Sequence, residues 1–205
     1  MGNDPSDSYH LGERVRQGDE TALSQLWLRH EDRLRRMVEL RLDRRLLGRI
    51  DVSQFLRDAF AEATRRFDEC PDDPKSHPIL WLRRVVGGQL VALLRQNQGS
   101  VLTQASMELS LFREALPTTS SAALAAQLLG QHMSPTQAAV RAGRILRLQE
   151  AFNAMEPLDR EVLTLRHFEH LSLSQTALEL GIEESVAAKR YILALKQLKQ
   201  ILASQ

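Results

Sequence analysis

The sequence predicts an all-α protein in which two helical domains are joined by a long linker, the C-terminal domain containing a helix-turn-helix. Three observations support this fold class. Apolar residues recur at helical spacing in the first half of the chain and again after residue 145, and no stretch of comparable length has the alternation of a strand. The segment between them is rich in Ser, Thr, Ala, Gln and Leu and carries few charges. We therefore place the N-terminal domain at residues 10–98, the linker at residues 99–145 and the C-terminal domain at residues 146–205.

The composition is that of an ordinary globular protein. Of the 205 residues, 43% are hydrophobic and 26% are charged, and the net charge of +1 argues against an indiscriminate nucleic-acid binder. The single cysteine, Cys70, has no partner for an internal disulfide, and no run of about 18 apolar residues is present to span a bilayer. The first ten residues lack the features of a signal peptide and are expected to be a flexible start. We therefore expect a cytoplasmic protein without a membrane partner.

Three helices are expected in the first domain. Residues 21–47 form one long or broken amphipathic helix. Asp51 or Ser53 offers an N-cap to the second helix, because a short polar side chain satisfies the first free amides. The third helix covers residues 79–96 and is expected to be weakened or kinked at a glycine pair in its middle.

The linker is expected to contain two short helices, at residues 122–129 and 135–148. A segment of this length without steady periodicity is not a simple turn in a compact fold. Its serine-rich, uncharged character is that of a slack tether.

The second domain contains a short interruption between two helices. A helix is expected at residues 158–170, after which Ser172 and Gln175 fit a capping box. Ala177 and Gly181 then supply what a helix-turn-helix requires: a small residue in the first helix, and a glycine that tolerates positive φ at the turn. An ordinary helical hairpin with a solvated basic face is the other interpretation of this spacing.

The helix after this turn has one apolar stripe and one polar face. Side chains on the polar face are able to meet a major groove or its flanking phosphates. We predict that the groove-facing residues are Glu184, Ser185, Ala188 and Lys189, and that Arg190 and Lys196 reach phosphates.

These residues resemble a known family. The order EPLDREVLTLRHFEHLSLSQTALELGI, followed by a basic helix and ALKQL, resembles the C-terminal promoter-binding domain of bacterial RNA polymerase sigma factors of the extracytoplasmic-function (ECF) class. In the first half, GDETALSQLWLRHEDRLRRMV, DVSQFLRDAFAEATRRFDE and ILWLRRVVGGQLVALLRQ are similar, in this order, to the helices of the N-terminal sigma domain. The resemblance covers about residues 18–202. It implies a transcription initiation factor that binds core RNA polymerase and promoter DNA and requires no cofactor or metal.

The resemblance also assigns sites by position. The helix that begins near Asp51 would dock on the polymerase core through Gln54, Arg57, Asp58 and Glu62. The helix after it would approach the minus-10 element through Trp81, Arg83, Arg84, Gln89, Arg95, Gln96 and Asn97. The last helix would contact the minus-35 element through Glu184, Ser185, Ala188, Lys189, Arg190 and Lys196. An anti-sigma factor is a further partner that the resemblance leaves open.

The chain departs from the family pattern at several positions. Ala188 stands where many members carry a lysine, and Lys189 follows where a small polar residue is usual. In the minus-10 helix, Gly88 and Ala92 replace the asparagine and aspartate that are often seen there. We therefore expect a base preference of its own.

Two other functions fit parts of the sequence. One is a two-domain helix-turn-helix transcriptional regulator whose N-terminal domain senses a ligand or dimerises, and the other is a protein-binding helical adaptor. An enzyme is not supported, because Gly87 and Gly88 lack the Lys-Ser/Thr of a phosphate-binding loop. His167 and His170 lie three apart, and a hydrated helix face is favoured over a metal site.

Overall fold

The computed structural model describes residues 5–42, 44–72, 77–96, 116, 119–129 and 138–203. Within these residues all regular structure is helical, which confirms the predicted all-α class. The chain divides into two compact units. The first unit comprises Met1–Val38 and Gly48–Pro117, and the second comprises Glu39–Leu47 and Thr118–Gln205. None of the helices in the described part of the chain is long and apolar enough to cross a membrane.

The described residues of the first half of the chain form five helices and one short 3-10 turn. They are α1 (Pro5–Arg16), α2 (Glu20–Arg41), α3 (Arg44–Leu47), α4 (Val52–Thr64), the 3-10 turn Phe67–Glu69, and α5 (Pro78–Gln96). The last turn of α2 and the whole of α3 belong to the second unit. The expectation of a flexible start was wrong, because α1 begins at Pro5 and buries Leu11 and Val15 in the first unit.

Local capping and apolar spacing account for α4 and α5. Asp51 caps α4, its Oδ1 accepting from the amide of Ser53 at 2.8 Å and from that of Gln54 at 3.2 Å. The apolar stripe of α5 is buried, namely Leu82, Val86, Leu90 and Leu94, and the helix continues through its glycine pair. A Cβ at Gly87 would lie 2.1 Å from a methyl group of Leu116. The glycine therefore gives Leu116 room against α5.

His30 is a buried titratable group in the first unit. Its side chain is 3% exposed, and neither ring nitrogen has a hydrogen-bond partner among the described residues. Burial, together with the positive charges of Arg33 and Arg29, lowers the pKa of His30 from 6.5 to about 4. The folded state therefore keeps this imidazole neutral.

The second unit is built around a second apolar core. Its further elements are α6 (Ser121–Leu128), α7 (Ala138–Ala154), α8 (Pro157–Leu163), the π-helical turn Thr164–Phe168, α9 (Leu173–Leu180) and α10 (Glu184–Ala203). Leu124 and Ala125 of α6 are fully buried in this core, although the sequence placed them in the linker. The second expected linker helix is part of the longer α7, and residues 130–137 lie outside the described residues.

The helix expected at residues 158–170 ends earlier than predicted. After Leu163 the backbone widens into the π-helical turn, and His170 adopts a left-handed conformation with φ 56°. The amide of Leu171 then donates to the carbonyl of Leu165 at 2.9 Å. This geometry brings Glu169 and Leu171 into the interior instead of continuing the helix.

Glu169 takes part in a buried ionic network. Arg41, whose side chain is fully buried, donates to the carboxylates of Glu169 and Glu161. Thr119 donates to the other oxygen of Glu161 at 2.9 Å. Removing one member of such a network leaves an uncompensated buried charge, which typically costs about 3–5 kcal/mol. The network therefore ties residues from three separate stretches of sequence together in this unit.

The turn between α9 and α10 has the predicted geometry. Ser172 and Gln175 form a capping box, with N···O distances of 3.1 Å and 2.8 Å. Gly181 ends α9 with φ 63° and ψ 36°, and the next amide, that of Ile182, donates to the carbonyl of Ala177 at 3.0 Å. Such a left-handed C-cap is accessible to glycine without steric cost. The helix-turn-helix is thus specified locally.

Acidification should destabilise the first unit through His30. The unfolded state takes up a proton near pH 6.5 and the folded state only near pH 4, so stability is lost as pH falls through this window. We expect a loss of up to about 3 kcal/mol, since each pKa unit corresponds to about 1.4 kcal/mol. This loss in the free energy of unfolding can be measured by urea titrations at several pH values, with the fluorescence of Trp27 and Trp81 as the signal. His30→Leu should flatten this dependence, and the exposed control His10→Gln should retain it; an equally steep loss in His30→Leu would contradict this prediction.

Replacement of Gly181 should destabilise the second unit. Gly181→Ala forces a Cβ into a left-handed conformation at a cost of about 1 kcal/mol, and because no atom lies within 4 Å of that Cβ the cost is backbone strain alone. The control Gly143→Ala, within α7 and equally unobstructed, should be neutral or stabilising. Chemical unfolding followed by circular dichroism compares the two variants. Equal stability of the two would contradict the strain argument.

Candidate nucleic-acid interface

Helix α10 buries one face and leaves the other open. Ala187, Ala194 and Leu198 are buried in the second unit. On the opposite side Ser185, Lys189 and Lys196 are exposed, as is Glu184 at the first turn, whereas Ala188 is only partly exposed. We call Ser185, Lys189 and Lys196 the open face of α10. Hydroxyl and ammonium groups on one exposed helix face are suited to hydrogen bonds with base edges and phosphates.

Arg190 does not belong to the open face. Its guanidinium donates to Asp159 Oδ1 at 2.7 Å and lies 3.9 Å from Glu156 Oε2. The hydrogen bond to Asp159 raises the pKa of Arg190 above its ordinary value. The prediction of a phosphate contact is corrected here, because Arg190 holds α10 to the start of α8.

Arg166 is a positioning residue that sequence reasoning missed. Its guanidinium lies 5.4 Å from the centre of the Tyr191 ring and donates to the carbonyl of Leu171, immediately before α9. It therefore links the approach to the helix-turn-helix with α10, partly through a cation–π contact. No local pattern in the sequence indicates this contact, since Arg166 and Tyr191 are 25 positions apart.

The predicted minus-10 residues fall into four groups. Trp81 and Arg83 are 1% and 2% exposed and belong to the interior of the first unit, so the expectation that they face DNA is corrected. Gln89 is partly exposed, and Asn97 lies outside the described residues. The exposed members are Arg84, Arg95 and Gln96.

The polar face of α4 is exposed as predicted and internally bonded. Gln54 donates through Nε2 to Asp58 Oδ1 at 2.9 Å, and Arg57 donates through Nε to Gln54 Oε1 at 3.1 Å. Glu62 is only partly exposed and is engaged by the guanidinium groups of Arg65 and Arg66. Gln54, Arg57 and Asp58 thus form a compact patch of mixed charge, with Glu62 neutralised beside it.

An apolar groove lies next to this patch in the first unit. It has a volume of about 520 Å³ between α2 and α4, and Arg57 stands at its edge. Trp27 packs edge-on against Phe60 with ring centroids 5.3 Å apart, and Leu28 is 72% exposed. An apolar groove beside a polar patch is the composition of a protein-docking surface.

Metal-ligating side chains do not converge in the part of the chain that the structure describes. No group of three or more His, Cys, Asp and Glu side chains is positioned there to hold a metal ion. His167 packs edge-on against Phe168, with ring centroids 5.2 Å apart.

Comparison with known proteins gives one family and one fold. Residues 145–198, which cover α8, α9 and most of α10, match the family described as sigma-70, region 4. No curated protein matches the sequence significantly. A solved structure, that of CnrH in complex with the cytosolic domain of CnrY, is similar with a TM-score of 0.55 and 18% identity, over 97% of this chain and 99% of that one. At this identity the structural match shows a shared fold, and the family match shows the kind of domain. Residues 145–198 thus match sigma-70 region 4, and the shared fold extends over nearly the whole chain.

Proposed function

We propose that this protein is an ECF-type sigma factor that binds core RNA polymerase and directs it to promoters through minus-10 and minus-35 elements. The observation that carries this proposal is the coincidence of the region 4 match with a helix-turn-helix whose second helix has an open polar face. The alternative of a regulator with an N-terminal sensor domain has no support from the comparisons.

The open face of α10 is proposed to contact the minus-35 element. Ser185 and Lys189 lie in its first two turns, which is the part of a recognition helix that meets base edges. Lys196 lies about two turns further on, where a phosphate contact is expected. Ala188 is proposed as a spacer, because its methyl group allows close approach without a hydrogen bond. Glu184 is proposed to face base edges, where cytosine N4 offers a donor.

The first unit is proposed to supply the other two contacts. Arg84, Arg95 and Gln96 on α5 are proposed to contact the minus-10 element, since exposed guanidinium groups position a protein on phosphates. Trp81 and Arg83 support this helix from inside. Core polymerase is proposed to dock on the polar patch of α4, with the adjoining groove accepting apolar side chains.

A protein that holds the factor inactive is a further proposed partner. CnrH, which shares the fold, was solved in complex with the cytosolic domain of CnrY. We propose a comparable protein partner, an anti-sigma factor, for this chain. The factor itself is proposed to act in the cytoplasm by binding and strand separation, without covalent chemistry of its own.

Promoter-dependent transcription tests the proposed function. Purified protein added to core RNA polymerase should yield run-off transcripts from one class of promoters in a library, and core alone should yield none. A missing transcript with active core and no inhibitor would overturn the proposal. Asp58→Lys should weaken capture of core on beads and leave promoter preference unchanged, whereas the control Arg65→Ala, at the residue that follows the same helix and outside the patch, should bind as the unchanged protein does.

Removal of the Lys189 side chain should weaken minus-35 binding. If its ammonium group contacts a base, Lys189→Ala should cost about 1–3 kcal/mol and relax specificity at one position. If it contacts a phosphate, affinity should fall uniformly across sequences. The slope of log affinity against log salt concentration should then decrease in magnitude by about one. Holoenzyme binding to promoter fragments at several salt concentrations distinguishes these results, with Lys199→Ala as the control. Unchanged affinity and salt dependence would remove Lys189 from the interface.

A further inference from the structure

An apolar side chain is exposed in the first turns of α10, beside the open face. Val186 is 37% exposed, directly follows Ser185, and precedes Lys189 by three residues. Residues three apart on a helix are surface neighbours. Val186 therefore shares a continuous surface with Lys189, which is proposed to meet DNA.

The fold does not use Val186 in its own core. The next residue, Ala187, is fully buried and, with Ala194, anchors α10 on the opposite side. Leu193 continues the line of Val186 and Lys189 and is 56% exposed. It lies about 10 Å further along the helix axis than Val186, given a rise of 1.5 Å per residue. Of these two apolar residues, Val186 is therefore the one placed where a recognition helix meets base edges.

The chemistry of the major groove identifies what Val186 would contact. Base pairs show hydrogen-bond donors and acceptors there, and the apolar group among them is the C5-methyl group of thymine. Alanine, threonine and phenylalanine side chains make such contacts through apolar carbons, and valine presents two methyl groups of the same kind. A phosphate would gain nothing from an apolar partner.

We propose that Val186 is a specificity-determining residue that contacts the C5-methyl group of a thymine in the minus-35 element. This proposal rests on the proposed function and deepens it. Val186 and Lys189 lie about 4.5 Å apart along the helix axis, close to the rise of one base pair. The thymine is therefore expected within about two base pairs of the position that Lys189 contacts. Val186 would recognise the thymine by its methyl group, and Lys189 would recognise a neighbouring purine by its hydrogen-bond acceptors.

A solitary exposed valine is common on protein surfaces, and a protein partner is the other possible occupant. The setting of Val186 favours DNA, because its neighbour on this surface is the ammonium group of Lys189 and the exposed hydroxyl of Ser185 lies in the same turn of α10. The region 4 match includes all three residues.

Replacement of thymine by deoxyuridine tests the contact, since uracil keeps every hydrogen-bonding group and lacks only the methyl. Holoenzyme made with the full chain is titrated with promoter fragments in which each thymine of the minus-35 element is replaced in turn. At one position the unchanged protein should lose about fourfold in affinity, the ratio that corresponds to about 0.8 kcal/mol for one buried methyl group. Val186→Ala lacks both γ-methyl groups and should lose most of this discrimination between thymine and uracil, whereas Val186→Ile should retain it.

Leu146→Ala is the matched control, because Leu146 is 59% exposed on α7 of the same unit. This variant should discriminate thymine from uracil as the unchanged protein does. The proposal is overturned if specific binding persists and no thymine position distinguishes Val186→Ala from the unchanged protein. An absence of sequence-specific binding by the unchanged holoenzyme would instead overturn the proposed function, and the role of Val186 with it.

Discussion

The left-handed backbone of Gly181 is the constraint on which the proposed DNA-binding surface depends. It ends α9 after two turns and directs the amide of Ile182 to the carbonyl of Ala177. Helix α10 can then begin at Glu184, and burial of Ala187 fixes its rotation. Once the start and rotation of a helix are fixed, its 3.6-residue period decides which side chains face solvent. The open face of α10 is therefore a geometric consequence of one turn and one buried stripe.

The ionic contacts of the second unit separate cations that build the fold from cations that remain available. Arg41 is buried against two carboxylates, and Arg190 is bound to Asp159. Arginine suits these tasks, since its planar guanidinium bonds several oxygens at once and is less strongly hydrated than an ammonium group. The exposed cations of α10 are lysines, whose flexible stems allow them to adapt to a groove. The net charge of +1 does not show that some cations are paired with carboxylates while others are exposed. Because of this difference, a nearly neutral chain can still present a local basic surface.

Features that depend on neighbours in sequence were predictable, and those that depend on distant neighbours were not. The Asp51 cap, the capping box at Ser172 and the Gly181 turn each involve residues within a few positions, and all three are present. Arg83 and Arg84 look alike in sequence, yet only the packing of α5 within its unit makes one buried and the other exposed. Arg190 was misjudged for the same reason, since Asp159 is 31 positions away. The helix α1 was missed because its apolar residues are too few to form a clear helical pattern in the sequence. It is stabilised mainly by the packing of Leu11 and Val15 in the first unit.

The turn at Gly181, the buried stripe of α10 and its exposed lysines together support one central proposal. Promoter DNA is proposed to bind the open face of α10. Amine-reactive labelling followed by mass spectrometry tests it on the assembled holoenzyme. Lys189 should be labelled readily without DNA and protected by a promoter fragment that contains the minus-35 element, but not by a fragment truncated to the minus-10 element. Equal labelling of Lys189 with and without the minus-35 element, in complexes that still initiate transcription, would contradict the account.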